Sequence, residues 1–348
     1  MMGKSLPFAG WPAADQRMWL DLTQHGGPFD DYGALATVRE TSRRIYQSAY
    51  GRWLEWLRVN LPEILAEQPA TRATLARLQA WLGDAAALSP TSRTMYFTGA
   101  LRVLRAAFPN ADWSRHSRVG QRLAQAAGRG DPARKRGRIL SSRVLLEAGL
   151  RLASPEAEAA TTPLGRAKAQ RDGAMVALLA MMPLRHRAFT GLRIGVSLII
   201  SDTALTVVLS EDLTKTGTPW EAEVIEPAGG GVLRRYLAEA RPFFMARTSH
   251  KHDFLWVGNM GEPMSYSYIG KKIPDITRRL TGVSIPQHFF RDSAATTMAR
   301  ESPNAATMIA PILGQSVSRT AERHYNHATS VEAGRELAKV LRRLKTKQ

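Results

Sequence analysis

Apolar residues recur every three or four positions between Thr37 and about Ala126. This spacing matches the 3.6-residue turn of an α-helix and predicts an all-helical segment. Its clearest runs are Ile45, Ala49, Trp53, Leu54 and Leu57, and then Leu75, Leu78, Trp81 and Leu82. A later helix has a marked beginning, because Ser89-Pro90 places an N-cap residue before a proline at the first helical position.

The pattern changes after residue 139, where helical runs give way to short β-rich runs and then return. Helices are predicted at Ser141–Ala153 and Leu164–Met181, and strands at Val196–Ile200, Ala204–Ser210 and Glu221–Ile225. Gly217, in Thr214-Lys-Thr-Gly217, suits the tight turn of a hairpin between the last two strands. The predicted fold is mainly α, with a small antiparallel β-sheet in a mixed α+β C-terminal domain.

A basic segment separates the two patterns. Residues Gly128 to Arg138 combine glycine and proline with five positive charges and have no hydrophobic period. We therefore divide the chain into an N-terminal arm (1–30), a helical domain (31–127), a basic linker (128–139) and a C-terminal domain with a final helix (140–348). The linker could lie along a phosphate backbone, or it could be solvated without any contact.

The charge of the whole chain indicates a polyanionic partner. Its 348 residues include 48 Lys and Arg against 30 Asp and Glu, a formal net charge of +18. Basic residues occur in every segment and arginine predominates, whereas a membrane-surface protein would concentrate them on one amphipathic helix. Arginine also matches the geometry of phosphate oxygens. The balance therefore favours nucleic acid over a membrane surface.

Several classes of chemistry are excluded by composition. The chain has no cysteine, and its eight histidines show no HExxH spacing, so thiol nucleophiles and the common zinc sites are not expected. Its apolar runs fall short of the roughly 20 residues of a spanning helix. We expect a cytoplasmic, DNA-associated protein without metal or cofactor, whose chemistry comes from Arg, Lys, His, Tyr, Ser or carboxylates.

Four segments of the C-terminal domain carry candidate chemistry in a characteristic order. They are Pro183-Leu-Arg-His-Arg187, Thr214-Lys-Thr-Gly217, Gln287-His-Phe-Phe-Arg-Asp-Ser-Ala-Ala-Thr296, and Ile312-Leu-Gly-Gln-Ser316 leading to Glu322-Arg-His-Tyr-Asn-His-Ala328. This order of Arg, Lys, His-x-x-Arg, Leu-Gly-x-Ser and Tyr resembles the tyrosine recombinase (phage integrase) family over Ser141 to Lys345. The helical domain before it resembles the DNA-binding core-binding domain of the same proteins.

The resemblance implies DNA strand breakage and rejoining through a 3′-phosphotyrosine. Tyr325 would be the nucleophile, and the bond energy kept in the phosphotyrosine would make ATP unnecessary. Arg185 and Arg291 would contact the non-bridging phosphate oxygens, since a guanidinium fork matches a phosphate and stays charged near neutral pH. His288 lies three residues before Arg291, so both would share one helix face. It would bind the phosphate or exchange a proton with the tyrosine hydroxyl.

Two further residues complete the implied site. Lys215, at the hairpin tip, would be the general acid toward the leaving 5′-oxygen. Gln315 stands where the family usually has histidine or sometimes tryptophan. A glutamine can donate a hydrogen bond to a phosphate but cannot transfer a proton near neutral pH, so cleavage could be slower or more tightly regulated.

The leading arginine has an alternative in the sequence. Thr190-Gly-Leu-Arg193 also resembles a phrase of the family, shortly after Arg185. Position favours Arg185, which directly follows the apolar helix ending at Met182. Arg193 and Arg187 would then have salt-bridge or backbone-contact roles.

The implied biology is integration, excision or transposition of a bacterial mobile genetic element. The partners would be double-stranded DNA and further copies of the chain, as a tetramer on two duplexes, with accessory DNA-bending proteins or a partner recombinase as candidates. A basic amphipathic helix, Ser330–Leu344, could dock on a neighbouring protomer or on its own domain. The rival functions are a type IB topoisomerase and a DNA-binding protein that has lost catalysis, the latter suggested by Gln315.

Overall fold

Helices make up most of the chain, and one three-stranded sheet lies in its C-terminal part. The computed structural model describes residues 4–27, 29–128, 135–211, 213–214, 219–224, 230–301, 308–314 and 322–346. The chain forms two compact units, Met1–Pro132 and Ala133–Gln348. The predicted fold class, mainly α with a small antiparallel sheet, is confirmed.

The N-terminal unit is built from helices alone among its described residues. A 3₁₀ turn at Phe8–Gly10 precedes α1, and another at Pro62–Ala66 separates α2 from α3. The helices are α1 (Ala13–Thr23), α2 (Glu40–Asn60), α3 (Pro69–Arg72), α4 (Leu75–Asp84), α5 (Pro90–Ala107) and α6 (Ser114–Ala127). The predicted start of α5 is confirmed, because the Ser89 hydroxyl accepts a hydrogen bond from the Ser92 amide.

Tryptophans on α2 and α4 form the centre of this unit. Trp53 and Trp81 are fully buried, with ring centroids 5.4 Å apart, and Trp56 stacks on Trp53 at 5.5 Å. Trp53 and Trp81 belong to the periodic runs that predicted the helices, so the predicted apolar faces are the packed faces. Large aromatic rings bury much apolar area per residue, which stabilises a small helical unit.

The segment predicted as an N-terminal arm contributes to this core. Trp11, Trp19 and Leu22 are buried in it. The carboxylate of Asp15 on α1 accepts hydrogen bonds from Tyr50 Oη at 2.6 Å and Arg72 Nη1 at 2.7 Å, and all three side chains are buried. A buried carboxylate is costly unless it is paired in this way. The trio therefore joins α1 to α2 and α3.

The C-terminal unit contains the sheet and most of the helices of the chain. They are α7 (Ser142–Ala153), α8 (Pro155–Glu158), α9 (Pro163–Met181), α10 (His186–Thr190), α11 (Gly230–Arg235), a π-helical turn (Tyr236–Ala240), α12 (Arg241–Met245), α13 (Tyr266–Thr281), α14 (Gln287–Glu301), α15 (Ile309–Ile312) and α16 (Glu322–Thr346). Within the part of the chain that the structure describes, no helix is both long and apolar enough to cross a membrane.

The sheet consists of β1 (Leu198–Ile200), β2 (Leu205–Leu209) and β3 (Trp220–Val224), in that order and antiparallel. The register pairs Leu198 with Val207 and Val207 with Ala222. Alternate residues of β2 and β3 are buried, as expected for a sheet with one face on the core. All three strands fall within or beside the β-rich runs of the sequence, so these strand predictions are confirmed.

The last helix packs on its own unit. Ala333, Leu337, Val340 and Leu341 of α16 are buried in the core of the C-terminal unit. A Cβ placed on Gly334 would lie 3.1 Å from Ala222 Cβ, so the helix sits directly on β3. Arg143 of α7 donates to the Leu344 carbonyl at 2.7 Å. Within this single chain the helix packs on its own unit, and its docking on a neighbouring protomer stays a prediction.

Helices α7 and α9 cross with their backbones in contact. A Cβ added to Gly173 would lie 2.5 Å from both the Ala153 nitrogen and the Gly149 carbonyl oxygen. A Cβ on Gly149 would lie 2.7 Å from the Ala177 nitrogen. Neither clash involves the flexible end of a side chain, so only glycine fits at this crossing.

We expect Gly173→Val to destabilise the C-terminal unit by about 3 kcal/mol, because the helices must separate to admit the side chain. Urea unfolding followed by circular dichroism measures this as a lower midpoint of the C-terminal transition. Gly231→Ala in α11 is the matched control, since a Cβ there meets nothing within 4 Å. Equal midpoints for the two variants would show that the crossing can relax.

Candidate active site

Two arginines from distant parts of the sequence converge in the C-terminal unit. Arg185 is the N-cap residue of α10, and Arg291 lies on α14. Arg291 donates from Nη1 to the Pro183 carbonyl at 2.9 Å and from Nη2 to the Leu313 carbonyl at 2.5 Å. Arg185 Nη1 lies 3.4 Å from the Gly314 carbonyl oxygen. The guanidinium groups thus point at consecutive carbonyls.

The electrostatics of this pair favour an anion. Burial lowers the pKa of Arg185 from its ordinary value. Burial, and then the charge of Arg185, lower the pKa of Arg291 to about 10, while Asp292 acts in the opposite direction. Both groups stay charged near neutral pH. Among the described side chains, no carboxylate lies within ion-pair distance of either guanidinium. Two partly desolvated like charges are stabilised by a ligand of opposite charge.

Helix α14, which carries Arg291, is attached to its neighbours by hydrogen bonds and by buried side chains. Gln287, its first residue, donates from Nε2 to the Leu184 carbonyl at 3.1 Å, next to Arg185 in the chain. Phe290 and Ser293 are buried, and Thr297 Oγ1 accepts from the Ser142 amide at 2.9 Å. The helix is therefore fixed to α7 and to the loop before α10, which sets the place of Arg291.

His288 lies on the same helix, one turn before Arg291. Its side chain is exposed, and its ring meets Phe289 edge-on with centroids 4.5 Å apart. Spacing of three residues places the two side chains on adjacent positions of one helix face. The structure thus brings Arg185 and Arg291 together and places His288 on the helix that carries Arg291.

The three remaining predicted site residues are Tyr325, Lys215 and Gln315. Tyr325 lies in the first turn of α16, by its position on the backbone. Lys215 and Gln315 lie outside the described residues. Their described neighbours are Thr214, whose hydroxyl donates to the Glu211 carbonyl at 3.1 Å, and Gly314, whose carbonyl faces Arg185.

Arg193 and Arg187 occupy different surroundings from Arg185. Arg193 Nε donates to Asp253 Oδ1 at 2.7 Å, and its guanidinium lies over the Phe254 ring, 5.3 Å from the centroid. Arg187 is exposed on α10. The salt-bridge role that the sequence allowed for Arg193 is therefore the contact found.

Trp220 is a contributor that sequence reasoning did not single out. Its Nε1 donates to the Pro311 carbonyl at 3.2 Å, and its ring lies 3.5 Å from the position of a Cβ on Gly314. Gly314 has a φ of 54°, a conformation that favours glycine. Trp220 thus joins the start of β3 to the segment that receives Arg185 and Arg291. The alternation of Trp220, Ala222 and Val224 could have revealed it.

His186 is a second such residue. Its ring stacks on Tyr266 of α13, with centroids 3.9 Å apart and planes inclined by 17°. A Cβ on Gly270 would lie 2.8 Å from His186 Cε1, so glycine leaves the space for this ring. Burial lowers the pKa of His186, which favours the neutral ring. The stack fixes the residue directly after Arg185 against α13.

Metal ligation is not evident in this unit. Among the residues that the structure describes, no group of three or more His, Cys, Asp or Glu side chains could hold a metal ion.

Comparison with known proteins supports the fold. No family model and no curated protein matches the sequence. Among solved structures, the chain is similar to the XerH site-specific recombinase bound to difH substrate in a pre-cleavage complex (TM-score 0.52, 14% identity, 85% of this chain and 78% of that chain). It is similar to the post-cleavage complex of XerH with palindromic difH (TM-score 0.52, 14% identity, 86% and 78%). A third similar structure is XerA recombinase (TM-score 0.36, 15% identity, 88% and 93%).

The two XerH structures carry the conclusion about fold. They overlap most of this chain, across both of its units, at a TM-score above one half. The chain therefore has a tyrosine recombinase fold, and the resemblance drawn from the four sequence segments is confirmed at that level.

Proposed function

We propose that this chain is a site-specific DNA recombinase that cleaves and rejoins DNA strands through a 3′-phosphotyrosine. The convergence of Arg185 and Arg291 carries the proposal. Two partly buried guanidinium groups, from segments more than a hundred residues apart, meet without a described carboxylate between them. A phosphodiester supplies the negative charge and the oxygen acceptors that this arrangement lacks. The fold shared with XerH, a recombinase whose structures contain difH substrate, supports DNA as its source.

The reaction would exchange one phosphoester bond for another. The Tyr325 oxygen attacks the scissile phosphorus, and the bond from phosphorus to the 5′-oxygen breaks. Lys215 gives a proton to that oxygen, which leaves as a hydroxyl. In the second half, a 5′-hydroxyl attacks the phosphotyrosine and releases Tyr325. Arg185 and Arg291 stabilise the charge that develops on the non-bridging oxygens in both halves.

His288 and Gln315 would assist at the same phosphate. A tyrosine hydroxyl has an ordinary pKa of about 10, so its attack is faster when a neighbouring base accepts the proton. His288 can serve as that base or bind a phosphate oxygen. Gln315 can donate a hydrogen bond to the phosphate but cannot transfer a proton near neutral pH. In this proposal, His288 and Lys215 therefore carry out the proton transfers.

The positive charge of the whole chain and the proposed strand exchange indicate the wider function. The dispersed positive charge would bind duplex DNA through many phosphates, with an affinity that falls steeply with salt. Strand exchange between two duplexes requires four active protomers, so the protein would act as a tetramer on DNA. Integration, excision or transposition of a mobile genetic element is the activity that we propose for it.

The decisive experiment is covalent capture. The protein is incubated with a nicked suicide duplex carrying the end of its element, in the presence of EDTA, and then denatured. We expect a protein–DNA adduct that survives denaturation and is removed by protease. Absence of any adduct, with DNA binding intact, would identify the chain as a DNA-binding protein that has lost catalysis. Relaxation of supercoiled DNA by single protomers would indicate a type IB topoisomerase instead.

A further inference from the structure

A short basic segment lies on the helix that carries His288 and Arg291. We call residues Lys135 to Arg138 the basic strap; they precede α7 and belong to the C-terminal unit. Arg138 donates from Nε and Nη2 to the Ser284 carbonyl, at 3.1 and 2.8 Å. Lys135 Nζ lies 2.8 Å from Asp292 Oδ1 of α14. The sequence predicted this segment as part of a linker and assigned it no contact within the domain.

The strap also holds the aromatic side chain beside His288. The Arg138 guanidinium lies 5.0 Å from the Phe289 ring centroid, and Lys135 Nζ lies 6.0 Å from it. Both distances are within the range of cation–π attraction. Phe289 is buried and meets the His288 ring edge-on. The strap thus packs on α14 at the position from which His288 projects.

The positive charge of Lys135 in the basic strap neutralises the negative charge of Asp292. Asp292 directly follows Arg291 in the chain. Without a positive partner, its carboxylate would compete with a phosphate for attraction to the positive charge of that arginine. The negative charge of Asp292 favours the protonated form of Arg291 and so acts to raise the pKa of that arginine. Lys135 places a compensating positive charge on the carboxylate. The phosphate then meets the net positive charge of Arg185 and Arg291.

We propose that Lys135 is a positioning residue for the cleavage reaction: its ion pair with Asp292 neutralises the carboxylate that follows Arg291 in the chain and keeps that arginine available to the scissile phosphate. This inference rests on the proposed recombinase function. Lys135, which the sequence placed in the basic linker, would then have a role in the C-terminal unit. The ion pair is partly exposed, with 48% of the Lys135 and 32% of the Asp292 side chain accessible, so its contribution to folding is small. Its effect is on the rate of cleavage.

A double-mutant cycle separates this role from a direct contact with DNA. The four proteins are wild type, Lys135→Met, Asp292→Asn and the double variant; methionine keeps the unbranched apolar stem, and asparagine keeps the shape of aspartate. The measured quantities are the rate of adduct formation on saturating suicide substrate and, separately, the dissociation constant for the same duplex. Salt concentration is held constant, because both quantities depend on it.

We expect Lys135→Met to lower the rate of adduct formation about tenfold in the Asp292 background and less than about threefold in the Asp292→Asn background. Equal losses in the two backgrounds would overturn the proposal. An equal loss of affinity in both, without a change in rate, would likewise overturn it and mark Lys135 as a phosphate contact. Absence of an adduct with the wild-type protein would instead refute the proposed function, so the two failures are distinguishable.

Discussion

Arg185→Gln is expected to lower the rate of covalent adduct formation by about 10²- to 10³-fold, the usual loss when one donor to a developing oxyanion is removed. The guanidinium of Arg185 faces the same segment as Arg291, and burial strengthens its field at a bound phosphate. Glutamine keeps a donor but lacks the charge and the fork. DNA affinity is expected to change little, because one phosphate contact among many is lost.

Arg193→Gln is the matched control for this experiment. Arg193 follows Arg185 by eight residues, but it pairs with Asp253 on the surface. Exposed ion pairs of this kind contribute little to stability, so we expect near wild-type cleavage. The two variants are compared on one suicide duplex at saturating protein. If Arg193→Gln loses cleavage while Arg185→Gln retains it, the alternative arginine of the sequence is the catalytic one.

Tyr325→Phe is expected to abolish the adduct altogether, because phenylalanine lacks the oxygen that forms the new bond to phosphorus. The structure places Tyr325 in the first turn of α16, and the buried residues that anchor this helix on β3 lie further along it. Loss of one hydroxyl should therefore leave the fold and the binding of duplex DNA intact. The measurement is adduct formation beside a gel-shift titration of both proteins.

A second tyrosine substitution makes this test specific. Tyr266→Phe changes an exposed tyrosine of the same unit and keeps the ring that stacks on His186. We expect it to form the adduct at close to the wild-type rate. If Tyr325→Phe still forms an adduct, the nucleophile is another residue and the assignment of Tyr325 is wrong.

Local patterns predicted most of the secondary structure. The helices Ser141–Ala153 and Leu164–Met181 and the three strands appear within a few residues of their predicted bounds, because hydrophobic periodicity is a property of neighbouring residues. The role of the first 30 residues was less accessible. Their attachment depends on Asp15 and Arg72, which are 57 positions apart, and no local signal connects two such residues.

The candidate site shows the same division. The order of Arg, Lys, His-x-x-Arg and Tyr predicted a tyrosine recombinase fold, and that fold is confirmed. The sequence could not distinguish the surroundings of Arg185 and Arg193, since both follow the same helix within a few residues. Their difference arises from Gly314 and Asp253, which approach from later segments. The catalytic roles of all the predicted residues stay predictions: Arg185, Lys215, His288, Arg291, Gln315 and Tyr325.

The sequence by itself determined the fold class, the net positive charge and the residue types available to a site, because periodicity, charge and composition are carried by the chain without its folding. Only the tertiary structure decided which charges act together. It placed Arg291 beside Arg185 and packed α16 on its own unit. It also formed the ion pair between Lys135 and Asp292, which are 157 positions apart in the chain. Such pairings depend on distance in space, whatever the separation along the chain, because Coulomb energy weakens as two charges move apart and dispersion acts only between atoms in contact.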